Sequence, residues 1–353
     1  MSRARSSALV LLALSVIFGS CKRVEEPLAG ARRLPSSSPN ASVSNAVPTE
    51  PEAAAPAPLL EPTQLLTLPT SAYQAQLFAD GEAIELLTSA AAHRLQPGQA
   101  PLTRAIELGF AATVTKKSYV YWSRGAIWSE PRSAPKPASA TKLGAVPEQP
   151  QRIVADIAGS EFALLLHTEG ARDSIAKLAN QRPKILYASP GSIDALTMIG
   201  DALYFVERAS GAGWRLGRVK LAGGEVIFSA EKSGRWPALL RGVEDLVYYD
   251  GARRDVLSLS LDLQQERTLA KDFICSPFAA LANVYCSTME GVFELSATSK
   301  PRQVVPASRK LITNLAVSSD RLAFLTDIGA QGQDRLALYA VPLGERSAQE
   351  PPR

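Results

Sequence analysis

The chain has 353 residues, of which 46% are hydrophobic and 20% are charged, and 38 basic against 34 acidic side chains give a net charge of +4 at neutral pH. No stripe of basic residues interleaves with aromatic ones, so the composition argues against a nucleic-acid partner. Two histidines and three cysteines form no cluster with metal-ligand spacing, and we expect no metal, no cofactor and no catalytic residue.

The N-terminus has the pattern of an export signal. A positively charged start precedes an apolar run over residues 8–18, which is too short to span a bilayer as a mature helix. A Gly-Ser-Cys sequence that ends at Cys21 follows, and it resembles the lipobox of bacterial lipoproteins. The resemblance implies that residues 1–20 are a signal peptide and that Cys21 carries the lipid. An ordinary cleaved signal peptide is the alternative.

The residues that follow Cys21 bear on the membrane to which the protein is attached. Lys22 stands where an aspartate would retain a lipoprotein in the inner membrane. The resemblance therefore implies attachment to the outer membrane through the N-terminal lipid, on either its periplasmic or its surface-facing side. Residues 21–63 are rich in Pro, Ser and Ala without apolar periodicity, which predicts a disordered tether. The polar residues 346–353 predict a disordered tail.

A short hydrophobic phrase recurs about every 36 to 44 residues, the period of propeller blades. The phrases begin at Ile84, Val120, Phe162, Leu203, Val247, Val284 and Leu322. Alternation of apolar and polar residues, together with turns at Gly, Pro or Asp, divides each unit into four strands. The sequence thus predicts an all-β, seven-bladed β-propeller over residues 64–345. Six blades are the alternative if the third unit, which lacks an aromatic pair, is misread.

The predicted blades span residues 73–108, 109–146, 151–189, 193–229, 236–271, 276–307 and 314–343. The last unit lacks a fourth strand, whereas residues 64–68 form a lone apolar segment before the first unit. Closure removes unpaired sheet edges, so we expect residues 64–68 to be the outer strand of the seventh blade. The alternative is that this segment is disordered with the tether.

Two cysteines remain besides Cys21 in a chain expected in an oxidising compartment. Cys275 precedes the first strand of the sixth unit and Cys286 lies in its second strand, so a disulfide between neighbouring strands is predicted. A pair of buried free thiols is the alternative.

One face of the predicted propeller collects the loops between blades and those between the second and third strands. Arginine and aromatic residues concentrate there, and such side chains are the usual anchors of interfaces. The candidate binding residues are Arg235, Trp236, Tyr73, Arg152, Phe273 and Arg309. Trp236 is the first choice, with Arg235 beside it; the alternative is that Trp236 packs under its own blade.

The phrases at Val120-Tyr121-Trp122-Ser123 and Leu203-Tyr204-Phe205 resemble those of YWTD and TolB-like (DUF5050-type) bacterial propellers. The resemblance implies a propeller that binds protein at the cell envelope. We therefore expect a non-enzymatic, lipid-anchored protein-binding or scaffold module that acts through its loop face. The alternatives are a glycan ligand, a metal-dependent lactonase or lyase centred on the funnel, and a structural envelope component without a discrete site.

Overall fold

The computed structural model describes most of the chain after residue 57. The described ranges are 58–70, 75–80, 83–109, 111–133, 140–168, 172–208, 213–237, 240–276, 278–307, 310–329 and 335–343. They belong to one compact unit. The predicted signal peptide, Cys21, the tether up to residue 57 and the tail lie outside them. The described ranges contain no helix, and hence no helix that could cross a membrane.

The described residues form 29 strands in seven antiparallel sheets, which we number as blades 1 to 7. Strands are given from the first to the fourth position of each sheet. Blade 1 contains β2 (Ala75–Ala79), β3 (Ile84–Thr88), β4 (Ala91–Leu95) and β5 (Leu102–Ala105). Blade 2 contains β6 (Ala112–Val114), β7 (Ser118–Ser123), β8 (Ala126–Pro131) and β9 (Thr141–Ala145). Blade 3 contains β10 (Arg152–Ala155), β11 (Phe162–Thr168), β12 (Arg172–Ala179) and β13 (Arg182–Ala188).

The remaining blades continue this order. Blade 4 contains β14 (Ile193–Ile199), β15 (Ala202–Arg208), β16 (Gly213–Lys220) and β17 (Ile227–Phe228), and β18 (Lys232–Ser233) also pairs with β16. Blade 5 contains β19 (Arg241–Gly242), β20 (Asp245–Asp250), β21 (Asp255–Ser260) and β22 (Glu266–Ala270). Blade 6 contains β23 (Phe278–Ala280), β24 (Val284–Thr288), β25 (Gly291–Ser296) and β26 (Ser299–Val305). Blade 7 contains β27 (Ile312–Val317), β28 (Arg321–Asp327), β29 (Leu336–Pro342) and β1 (Thr63–Leu68).

First strands of neighbouring blades lie against one another from blade 2 to blade 7, and β27 lies against β2 where the two ends of the chain meet. Between blades 1 and 2, β6 lies against β3. These strands therefore line the axis of a seven-bladed β-propeller, as the repeat predicts. The third unit, β10 to β13, is a complete blade, so the ring has seven blades and not six.

The second strand of each blade carries the repeated phrase, because both of its faces are buried between neighbouring blades. In β15, Leu203 and Phe205 pack into the cluster shared with blade 3. Tyr204 and Val206 pack into the cluster shared with blade 5. A strand buried on both faces reads as a continuous apolar run, which explains why the phrase lacks polar alternation.

The ring is closed by the N-terminal strand, which confirms the expected outer strand of the seventh blade. β1 pairs antiparallel with β29, with Leu68 opposite Leu336. Leu68 is 8% exposed and packs in one cluster with Leu77 of blade 1 and Leu338 of blade 7. The cluster thus joins the first and last blades.

The contact with the propeller starts earlier than the predicted end of the tether at residue 63. Leu60 donates its backbone N–H to the Val304 carbonyl at 2.9 Å and packs against the cluster between blades 6 and 7. β1 itself begins at Thr63, one residue before the expected start.

The junction of blades 4 and 5 differs from the prediction in detail. The expected outer strand over residues 225–229 is reduced to β17, and β18 pairs with the start of β16. Blade 5 is expected from residue 236, yet its first strand begins at Arg241. Pro237 has no backbone N–H to donate to a ladder, so this segment stays in the loop.

Candidate functional site

The loop face carries a cleft of about 370 Å³ between blades 5 and 6. Its walls come from three inter-blade loops and from the turns that follow β20 and β24. The lining residues are Arg235, Trp236, Pro237, Tyr249, Gly251, Ile274, Cys275, Ser276, Phe278, Ser287, Thr288, Met289 and Leu311. The cleft therefore includes the two residues that the sequence favours most for binding.

Three large apolar side chains around the cleft are exposed to solvent. Ile274 is 58% exposed, Met289 77% and Leu311 63%. We call these three residues the apolar rim. They come from two inter-blade loops and one turn, so only the folded ring brings them together. Exposed apolar side chains gathered around one cleft are a feature of interaction surfaces.

Trp236 has two roles at the edge of the cleft. Its indole is half-buried and packs against the cluster shared by blades 4 and 5. The Arg208 guanidinium lies over it, 3.7 Å from the ring centroid. Arg208 is in turn fixed by two hydrogen bonds of 2.7 Å to the Asp194 carboxylate. The alternative that Trp236 packs against the blades therefore holds in part, and its role in an interface stays a prediction.

The loop that carries Arg235 lies tightly against blade 5. Gly234 has a φ of +87°, and a Cβ added there would lie 2.7 Å from the Ala252 Cβ. Only glycine combines this backbone conformation with so close an approach. Arg235 itself is exposed, and no described residue forms an ion pair with it.

A disulfide fixes the wall formed by blade 6. Cys275 and Cys286 are joined with their Cα atoms 5.8 Å apart, which links the loop before β23 to β24. Two backbone hydrogen bonds hold the same loop, from Phe273 N–H to the Arg254 carbonyl at 2.7 Å and from Ser276 N–H to the Ser287 carbonyl at 3.0 Å. A wall that is rigid before binding loses little conformational entropy when a ligand docks.

The electrostatics of the cleft are mildly positive on the blade 5 side. Burial raises the pKa of the Tyr249 hydroxyl, while the positive charges of Arg254 and Arg235 oppose that shift. Arg254 forms an ion pair with Asp272 at 3.1 Å, which neutralises it in part. Tyr249 is therefore a neutral hydrogen-bonding group at physiological pH, and Arg235 is the charged side chain among the described lining residues of the cleft.

The structure separates the predicted binding residues into groups. Arg235 and Trp236 line the cleft, and Phe273 lies in its disulfide-fixed loop, with its ring 5.3 Å from that of Phe293. Arg152 lies in β10, on the axis at blade 3, and does not line the cleft. Tyr73 and Arg309 lie outside the described residues.

Sequence reasoning missed the apolar rim and a polar pair on blade 3. An apolar residue inside a turn, such as Met289 between β24 and β25, was the available signal. His167 Nδ1 lies 2.8 Å from the Asp173 carboxylate, across the ends of β11 and β12. In the sequence, a histidine and an aspartate six residues apart give no signal that their side chains are in contact. Within the described ranges, no three or more His, Cys, Asp or Glu side chains group as a metal site would require.

No family model matches the chain, and a comparison with curated proteins gives no match. A chain in the crystal structure of the mitotic checkpoint complex is similar, with 9% identity and a TM-score of 0.51 over 78% of this chain and 93% of that chain. The WD40 β-propeller domain of Doa1 has 10% identity and a TM-score of 0.51 over 79% and 96%. A chain of the nidogen/laminin complex has 13% identity and a TM-score of 0.44 over 66% and 93%. At such identities the likeness shows the β-propeller fold alone.

Proposed function

We propose that this chain is a non-enzymatic, lipid-anchored propeller of the cell envelope that binds a protein partner through the cleft between blades 5 and 6. The observation that carries the proposal is the apolar rim beside Trp236 and Arg235. The lipid anchor and the outer-membrane location rest on the sequence up to Lys22. Chains with this fold also occur in solved protein complexes, the mitotic checkpoint complex among them.

The chemistry of the cleft indicates what kind of segment would occupy it. Ile274, Met289 and Leu311 offer an apolar surface, and methionine adapts to differently shaped partners. Arg235 adds an exposed positive charge next to an aromatic ring, a combination enriched where binding energy concentrates. The best fit is a partner segment with a large apolar side chain next to an acidic one.

The rival functions make different demands on the site. A metal-dependent lactonase or lyase needs several carboxylate or amide ligands that converge on the funnel. The inner strands of blades 3 and 5 place Arg152 and Arg241 near the axis. The Asp194 carboxylate on the inner strand of blade 4 already accepts two hydrogen bonds from Arg208. A purely structural component would have no use for exposed apolar side chains on a fixed wall.

Partner capture tests the binding proposal. Detergent-solubilised envelope is passed over the wild-type chain, over Arg235→Glu/Trp236→Ala and over Met289→Ser/Leu311→Ser, and bound proteins are quantified by mass spectrometry. We expect each double variant to capture at least tenfold less of the same partner than the wild type, because each removes anchor contacts from one cleft.

The matched control is Leu102→Ser/Ile185→Ser. These two residues are 59% and 47% exposed but lie on outer strands of blades 1 and 3, away from the cleft. The control should capture the partner like the wild type. Equal capture by all four proteins would refute the proposed surface.

The lipid anchor has a separate test. Cells that express the wild type or Cys21→Ser are labelled with an alkyne palmitate analogue and then fractionated. We expect the wild type to be labelled and to be held in the membrane by its acyl chains, which supply about 0.8 kcal/mol per buried CH₂. Cys21→Ser should be unlabelled, because it lacks the thiol that carries the lipid. Ala8→Ser serves as a control that leaves the cysteine in place. A labelled Cys21→Ser chain, or an unlabelled wild type, contradicts the anchor.

A further inference from the structure

The orientation of the Trp236 indole is not set by its own loop. Gly234 has a φ of +87°, and Pro237 restricts the residue before it to extended backbone conformations. These constraints fix the backbone of Trp236 but leave its two side-chain torsions to choose among rotamers. The direction of the ring therefore depends on the side chains that it contacts.

Arg208, at the end of β15, covers the ring of Trp236. Its guanidinium lies 3.7 Å from the ring centroid. Its Nε and Nη2 donate to different oxygens of the Asp194 carboxylate, both at 2.7 Å. Two parallel hydrogen bonds fix the plane of a guanidinium as well as its position. A planar cation held in this way attracts the face of the indole.

The backbone that carries Arg208 and Asp194 is also held in place. The Arg208 N–H donates to the Ser192 carbonyl at 3.0 Å. The Ile193 N–H, next to Asp194, donates to the Asp173 carboxylate of blade 3 at 2.7 Å. Asp173 is only 2% exposed. The pair that covers the indole thus projects from a segment tied to both blades 3 and 4.

The cleft offers the indole a second place to pack. Trp236 lies at its edge, and the apolar rim presents three exposed apolar side chains around it. Burial of apolar surface is favourable, so an indole that nothing held would turn toward the rim and fill the cleft. The contact with Arg208 opposes this movement.

We propose that Arg208, fixed by Asp194, is a positioning residue that holds the Trp236 indole at the edge of the cleft and so keeps the cleft open. An aromatic anchor that is oriented before binding loses less conformational entropy when the partner docks. The benefit for the partner rests on the function proposed above, whereas the orientation of the indole is measurable without any partner.

Fluorine NMR of the full chain in detergent micelles measures this orientation, with the four tryptophans replaced by 5-fluorotryptophan. Trp236→Phe assigns the resonance of Trp236. Arg208→Gln and Asp194→Asn should move that resonance by more than its linewidth, because the indole changes its surroundings. Arg208→Lys keeps the charge but loses the planar fork, and its shift should be smaller. The other three resonances should stay in place, which also shows that each variant is folded.

Arg302→Gln is the matched control. Arg302 pairs with Glu294 on blade 6, and the two side chains are 48% and 15% exposed, against 43% and 16% for Arg208 and Asp194. Neither residue of the control pair lines the cleft. Arg302→Gln should therefore leave the Trp236 resonance unchanged. A Trp236 resonance that stays in place in Arg208→Gln, or that moves equally in Arg302→Gln, would overturn the proposal.

Partner capture from solubilised envelope tests the consequence for binding. Arg208→Gln should capture less partner than the wild type, by roughly threefold or more, because the anchor is no longer oriented. In a Trp236→Ala background the same substitution should cause no further loss, since it acts through the indole. Equal capture by the wild type and Arg208→Gln, or an additive loss in the double variant, contradicts a positioning role in binding. If the wild type captures nothing, the proposed function fails, and the Trp236 resonance still decides whether Arg208 holds the indole.

Discussion

Buried polar residues in blades 1 and 2 act as structural ties between these blades. Glu85 of β3 is fully buried, and burial raises the pKa of its carboxyl even though Arg132 and Arg94 act in the opposite direction. Arg132 donates to Glu85 at 2.6 Å and to Asp80 at 2.8 Å, and the Tyr119 hydroxyl donates to Glu85 at 3.1 Å. A carboxylate with this many donors is satisfied, so its perturbed pKa has a structural cause.

His93 of blade 1 makes the stability of the fold depend on pH. Its ring is 5% exposed, Nδ1 lies 2.9 Å from the Thr103 hydroxyl, and Nε2 has no partner among the described residues. Burial lowers the pKa of the imidazole below 6.5. The unfolded chain therefore binds a proton more readily than the folded one, and stability present above pH 6.5 is lost as the pH falls through the folded-state pKa.

Urea unfolding at pH 7.5 and pH 5.0 measures this effect. The free energy of unfolding of the wild type should decrease between the two pH values by more than that of His93→Gln, because glutamine does not titrate. His167→Gln is the control, since His167 is exposed and its replacement leaves His93 in place. An identical decrease in the wild type and in His93→Gln would contradict the assignment.

At the scale of the strands, the prediction succeeds where both faces of a strand are buried. Phrases such as Leu203-Tyr204-Phe205 mark the second strands, because such strands must be apolar throughout. First and fourth strands have one exposed face or edge and tolerate polar residues. β19, with only two residues, and the divided pair β17 and β18 therefore could not be placed from their composition.

The residues of the cleft were predictable from the sequence only in part. Loop position identified Arg235 and Trp236, because their loop follows directly from the blade repeat. The apolar rim depends on how two inter-blade loops and one turn are placed across blades 5 to 7. Met289 and Leu311 belong to different blades, and no local pattern relates them. Their proximity is a property of the closed ring.

For the whole molecule, closure by β1 couples the two ends of the chain. Leu68 contributes to the cluster that contains residues of β2, β3, β28 and β29, and its loss would weaken the seam between blades 7 and 1. A ring with an open seam exposes an unpaired strand edge along β29. If the stability of the fold depends on closure of the ring, a mutation at the seam lowers the stability of all seven blades and not only of the blade that carries it.

Leu68→Ala tests this coupling. Removal of a buried leucine side chain costs about 2–4 kcal/mol, so the variant should unfold at clearly lower urea concentration. The effect should also appear in blade 4, across the ring, where Trp214 is fully buried. Hydrogen exchange of β15 and β16 should accelerate as much as that of β28 and β29, because opening of the seam exposes every blade to unfolding. Thr63→Ala, at an exposed position of β1, should change neither measurement. Faster exchange confined to blade 7 would show that the blades unfold independently and that closure stabilises only its own sheet.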